Sequence, residues 1–176
     1  MPRFAAETTV PVERSKAEIE ASLIRWGADE FQTGWKESKG GSDGAAMIAF
    51  RLEGLFIRFV LPIPRRDEKR FTHKKDRYGY EKKLNDNQAF KEWDQEVRSR
   101  WRNLLLAIKG KLGAVECGVS TIEKEFLAFI VLPNQLTVGE WMVESLAQIK
   151  AGEMPKLLGF AKDNIQDAEF EETRNG

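Results

Sequence analysis

The spacing of apolar residues changes along this chain, and each change marks an element. Ile19, Leu23 and Trp26 stand at i, i+4 and i+7, one face of a helix. Ser15-Lys16-Ala17-Glu18 reads as a capping box, in which the Ser and Glu side chains satisfy amides at a helix start. A helix is therefore predicted from about Lys16 to Trp26, ended by Gly27, after a short extended lead over Thr8 to Val12. The period then drops to two. Phe31, Thr33 and Trp35 alternate within 30–37, Ile48, Phe50 and Leu52 within 46–52, and Leu55, Ile57, Phe59 and Leu61 within 55–61, which predicts three strands. Glu53-Gly54 joins the last two as a hairpin turn, and Pro62-Ile63-Pro64 halts the third. Lys39-Gly40-Gly41-Ser42-Asp43-Gly44 lacks the spacing of a phosphate-cradling loop and reads as a connector.

Helical spacing returns over the longest segment. Phe90, Trp93, Val97, Trp101, Leu104, Ile108, Leu112 and Val115 recur at an average of about 3.6 residues, which predicts a helix from about Asn87 to Glu116 with Asp86 as N-cap and Gly118 as its stop. Such a stripe reads as core rather than as an aromatic ligand box. Ser120-Thr121-Ile122-Glu123 is a second capping box, leading to a short helical turn and an apolar run to Leu132 that reads as a strand. A turn at Pro133-Asn134-Gln135 then precedes a third box, Thr137-Val138-Gly139-Glu140, opening a helix with Val138, Trp141, Met142, Leu146 and Ile149 as its apolar residues. The expected fold is α+β: a small antiparallel sheet of three to four strands packed against the long amphipathic helix and two shorter helices. One domain is expected over 1–155, with a basic mobile loop at 65–83 and an acidic tail at 156–176.

Charge changes this picture because it is unevenly placed. Residues 65–112 carry 15 Lys and Arg against 8 Asp and Glu, whereas residues 113–176 carry 5 against 11, so a formal net charge of zero hides a basic middle and an acidic end. The basic segment interleaves its cations with Phe71, Tyr78 and Tyr80, a mixture suited to neutralising phosphates and stacking on bases. Lys91, Gln95, Arg98, Arg102 and Lys109 fall in one sector of the long helix and extend the positive field. Asp94 to Arg98 and Glu96 to Arg100 are favourable i, i+4 pairs, but Arg102, Lys109 and Lys111 have no carboxylate four residues before them.

Other chemistry is sparse. Cys117 and His73 are the only residues of their kinds, which excludes an intrachain disulfide and a Cys/His zinc cluster. Glu116, Glu123 and Glu125 are the nearest approach to a carboxylate cluster for a divalent metal, as a nuclease would need. No hydrolase elbow, zinc-protease helix or dinucleotide fingerprint is present. The apolar runs are too short for a membrane span, and the first residues lack a signal-peptide core, so a location in the cytoplasm of a bacterial host cell is expected.

The run Trp93-Asp94-Gln95-Glu96-Val97-Arg98-Ser99-Arg100-Trp101-Arg102, the later Glu125–Pro133 and Thr137–Trp141, and the opening Thr8–Ser15 resemble a family of small bacteriophage and prophage proteins. The resemblance covers most of 5–155. It implies a phage accessory protein of DNA metabolism or host takeover, acting beside a host or phage replication or recombination protein, and carries no catalytic residue across. Together with the charge pattern it leads to the expectation of a non-enzymatic, cofactor-free protein that binds nucleic acid, single-stranded DNA or RNA being favoured, with low sequence preference. Arg65, Arg66, Lys69, Arg70, Lys74, Lys75 and Arg77 are expected to contact phosphate, Tyr78 and Tyr80 to stack, and Arg98 and Arg102 to extend the groove. The alternative is a protein-interaction module that binds and modulates a host enzyme, its acidic tail imitating nucleic acid.

Overall fold

A computed structural model describes residues 5–36 and 43–152; most of the glycine-rich connector and all of the acidic tail lie outside the described residues. The chain runs through helix α1 (Val12–Arg25), strands β1 (Glu30–Lys36), β2 (Gly44–Leu52) and β3 (Leu55–Ile63), helix α2 (Lys69–Thr72), strands β4 (His73–Lys75) and β5 (Glu81–Lys83), helices α3 (Asp86–Glu116) and α4 (Ile122–Phe126), a 3₁₀ turn (Leu127–Phe129), and helix α5 (Val138–Lys150). The architecture is α+β, with two antiparallel sheets: β1-β2-β3 in sequence order, and the β4-β5 ribbon.

Register turns the sequence alternation into one apolar face. Phe31, Phe50 and Ile57 share a row across the first sheet, and Thr33, Ile48 and Phe59 share the next. Ile19 and Leu23 of α1, with Val97, Trp101, Leu105, Ile108 and Leu112 of α3, bury this face. Phe126 of α4 is fully buried among them, its ring edge-on to Phe50 at 6.0 Å and to Phe59 at 6.2 Å. The hairpin turn is the one expected: Leu52 pairs with Leu55, and Glu53 (φ 51°) and Gly54 (φ 77°) are both left-handed, as a two-residue turn matching strand twist requires.

Three local readings are corrected. Helix α1 begins at Val12 behind the extended N-cap Pro11, a full turn before the expected capping box: the Ser15 N–H already donates to the Pro11 carbonyl at 3.2 Å, and Val12 packs, partly buried, on the core. Ser15 is consequently buried inside the helix, and Glu18 bonds to Arg14, Arg102 and Lys109 instead of capping. The caps of α3 and α4 are Asn85, in a reciprocal box with Gln88, and Thr121, while the box at Thr137 and Glu140 opens α5 as read. Finally, the apolar run 126–132 is not a strand. Phe126 and Phe129 both turn toward Phe59, a three-residue spacing that only a helical turn provides, so the backbone coils. Only Ile130, bridged to Ile57, and Val131, bridged to Thr137, make strand-like contacts.

Candidate nucleic-acid interface

The basic segment leaves the body where β3 ends. There the Trp93 indole N–H donates to the Pro64 carbonyl at 2.8 Å, and the Arg66 guanidinium lies over the rings of Phe90 (4.8 Å) and Trp93 (5.4 Å). Residues 65–83, read from sequence as a basic mobile loop, carry regular structure. The single turn α2 buries Phe71, and the chain then forms the β4-β5 ribbon with His73 opposite Lys83, Lys74 opposite Lys82 and Lys75 opposite Glu81. Asp76 builds the ribbon's turn: its carboxylate accepts from the Tyr78 and Tyr80 amides at 2.8 and 2.9 Å, and Gly79 supplies the left-handed residue at φ 87°. Leu84 N–H donates to Thr72 O at 2.8 Å and closes the ribbon's base.

This turn holds Tyr78 and Tyr80 at the tip, 69% and 74% exposed, with the Arg77 guanidinium 4.6 Å from the Tyr78 ring centre. Large aromatic rings left in water by an ordered turn are available for stacking. Apart from Arg66 and Arg77, which lie over aromatic rings, the cations of the segment fall into two groups. Arg65 pairs with Asp67, Lys69 with Glu81 (2.8 Å), Arg70 with Glu68 (2.6 Å) and Glu96 (3.7 Å), and Lys74 with Glu92 (3.3 Å). Arg65 holds the Asp67 carboxyl below its ordinary pKa, and Lys69 does the same to Glu81. Lys75, Lys82 and Lys83 form no ion pair among the described residues, and Lys74 and Lys82 face each other as like charges. Lys69, Arg70, His73, Lys74, Lys75 and Glu81 line a hollow of about 280 Å³ between α2 and the ribbon.

Arg98 and Arg102 are not part of this surface. Glu92 and Glu96 of α3 meet Lys74 and Arg70, and Arg100 donates to the Pro62 carbonyl, so that sector of the helix faces the ribbon and the end of β3. The sector with Gln95, Arg98, Arg102 and Lys109 lies about 130° round the helix. Gln95 donates to the Ala6 and Thr8 carbonyls, Arg102 and Lys109 pair with Glu18 of α1, and Arg98 pairs with Asp94. Burial pushes the Glu18 carboxyl up, but the Arg102 hydrogen bond and the charges of Arg102 and Lys109 outweigh it and leave its pKa lowered. Arg102 and Lys109 thus tie α1 to α3, while Arg98 is held within α3 by Asp94.

The three carboxylates considered for a metal do not converge. Glu123 interacts with the Thr121 hydroxyl, Glu125 pairs with Lys111 at 3.6 Å, Glu116 ends α3, and no metal-binding group of His, Cys, Asp or Glu occurs among the described residues. No described helix is long and apolar enough to cross a membrane. The sequence reading passed over His73, Glu81, Lys82 and Lys83 as site residues. The signal for them was the Asp76-to-Tyr80 turn flanked by two short runs of equal length, a hairpin pattern obscured because almost every flanking residue is charged. In comparisons with protein-family models, curated proteins and solved structures, nothing matches this chain.

Proposed function

We propose that the protein is a non-enzymatic, phage-type accessory protein that binds nucleic acid through the β4-β5 ribbon, favouring single-stranded DNA or RNA with little sequence preference. The observation that carries the reading is the tip itself: Tyr78 and Tyr80 stand exposed on a hydrogen-bonded turn, beside Lys75, Lys82 and Lys83, which have no carboxylate partner among the described residues. Unpaired lysines displace condensed counterions from phosphate, and the rings offer faces to unpaired bases of any sequence. Duplex DNA hides those faces, so strandedness tests the reading.

Fluorescence anisotropy with a labelled oligothymidylate at about 50 mM salt, where counterion-driven contacts are strong, is expected to show binding that weakens steeply with salt. Tyr78→Ala and Tyr80→Ala should each cost about 1–3 kcal/mol on the single strand and far less on a duplex. Lys75→Ala, Lys82→Ala and Lys83→Ala should flatten the salt slope for every sequence alike. No binding at low salt, or equal tyrosine effects on both substrates, rejects the reading.

A second reading, a module that binds and modulates a host enzyme, is favoured by one observation. Helix α5 leaves Trp141, Val143, Leu146 and Ile149 each more than two-fifths exposed. Under it, a protein captured from host lysate persists after nuclease treatment and is lost in Leu146→Glu.

A further inference from the structure

We propose that the hollow between α2 and the ribbon is a phosphomonoester site for the terminal phosphate of a nucleic-acid strand, and that Glu81 occupies it in the free protein as an internal counter-ion. This site rests on the nucleic-acid reading above and specifies the group that the ribbon seats.

The lining of the hollow is Lys69, Arg70, His73, Lys74, Lys75 and one carboxylate, Glu81; the carboxylates that pair with Arg70 and Lys74 are not part of the lining. Glu81 sits 2.8 Å from the Lys69 ammonium, while Lys75, its register partner across the ribbon, has no ion pair among the described residues. With Glu81 in place one of these two lysines is neutralised and the other is not. Exchanging Glu81 for a phosphodiester, which carries one charge, leaves the same imbalance. A phosphomonoester carries close to two charges at neutral pH and neutralises both lysines at once. Its oxygens also accept charge-assisted hydrogen bonds from several donors together.

Displacing Glu81 is easy. Its bridge to Lys69 is open to water on both sides, the side chains being 68% and 48% exposed, and exposed pairs of this kind hold weakly. The released carboxylate is rehydrated rather than buried.

His73 lines the hollow and is the chain's only histidine, so its ring proton resonances report on this site alone. Thymidine 5′-monophosphate added to the full chain is expected to move them, and thymidine is expected to leave them unmoved. A 3′-labelled oligothymidylate should bind more tightly with a 5′-phosphate than with a 5′-hydroxyl. Glu81→Gln should strengthen binding of the phosphorylated strand by up to about fivefold, the range set by an exposed ion pair, a gain that a misfolded ribbon could not produce. Lys69→Ala and Lys75→Ala should abolish the end preference.

Strand binding that ignores the 5′ group, with His73 unmoved, overturns the hollow as a phosphate site and leaves the nucleic-acid reading standing. A His73 shift with the mononucleotide but no strand binding overturns the strand-end assignment together with that reading. An end preference that is unchanged in all three variants overturns the role given to Lys69, Lys75 and Glu81.

Discussion

Trp93→Phe measures how firmly the basic segment is tied to the body of the protein. The indole N–H donates to the Pro64 carbonyl at 2.8 Å, one residue before Arg65, and the ring packs on the core and under Arg66. Phenylalanine retains an aromatic ring and deletes the donor. A hydrogen bond of this sort contributes about 0.5–1.5 kcal/mol net. Since about 1.4 kcal/mol is a factor of ten, its loss should raise the local opening equilibrium by about two- to twelvefold. Native trypsin digestion followed by mass spectrometry reads that population, because cleavage tracks the open form when reclosing is faster than cutting. Cutting after Arg65, Arg66 and Lys69 is expected to accelerate by this factor, while cutting after Arg102 and Lys109, inside α3, changes little. An acceleration below about 1.5-fold would show that the bond does not anchor the segment; equal acceleration at both regions would show that the substitution loosened the whole fold.

Two further outcomes test the body and its last helix. Phe126→Ala removes a fully buried ring that touches both Phe50 and Phe59, and should cost about 3–5 kcal/mol, read as a lower urea midpoint at unchanged slope; a loss under about 1 kcal/mol would mean that α4 does not seal the core. The Thr137 N–H, at 2.7 Å, and the Arg58 guanidinium, at 2.9 Å, hold the Glu140 carboxyl below its ordinary pKa. A depressed pKa means that the folded state prefers the ionised form. Its stabilising contribution is therefore complete above the unfolded value of about 4.3 and lost as pH falls through the lowered folded value. Urea unfolding should accordingly place the wild type above Glu140→Gln at about pH 6, with the gap closing in the acid range; a gap independent of pH would remove ionisation from the account.

Periodicity made most of the body legible. Alternation over 46–52 and 55–61 with Glu53-Gly54 between them has one economical solution, a tight hairpin, and the stripe from Val97 to Leu112 buries as read. Where two local signals competed, sequence alone chose less well. Ser15 and Glu18 look like a cap, yet with Pro11 as N-cap and Val12 packed on the core α1 starts a turn earlier; the run 126–132 looks like a strand, yet Phe126 and Phe129 both have to reach the same ring.

Charge divided differently between the two levels. The abundance of cations between 65 and 112 and their mixing with tyrosines are properties of composition and order, and the sequence determines them outright. Which cations remain available is decided by distance in space. Arg102, Lys109 and Lys111 have no carboxylate one helical turn before them, but Glu18, 84 positions before Arg102, takes the first two and Glu125 takes the third. Among the described residues Lys75, Lys82 and Lys83 have no ion pair, lying on a two-stranded ribbon from which Glu92 and Glu96 of α3 meet Lys74 and, beside the ribbon, Arg70 of α2. Local spacing is written in covalent order and can be counted, whereas Coulomb attraction falls with separation through space, and that separation exists only once α1, α3 and the ribbon have packed.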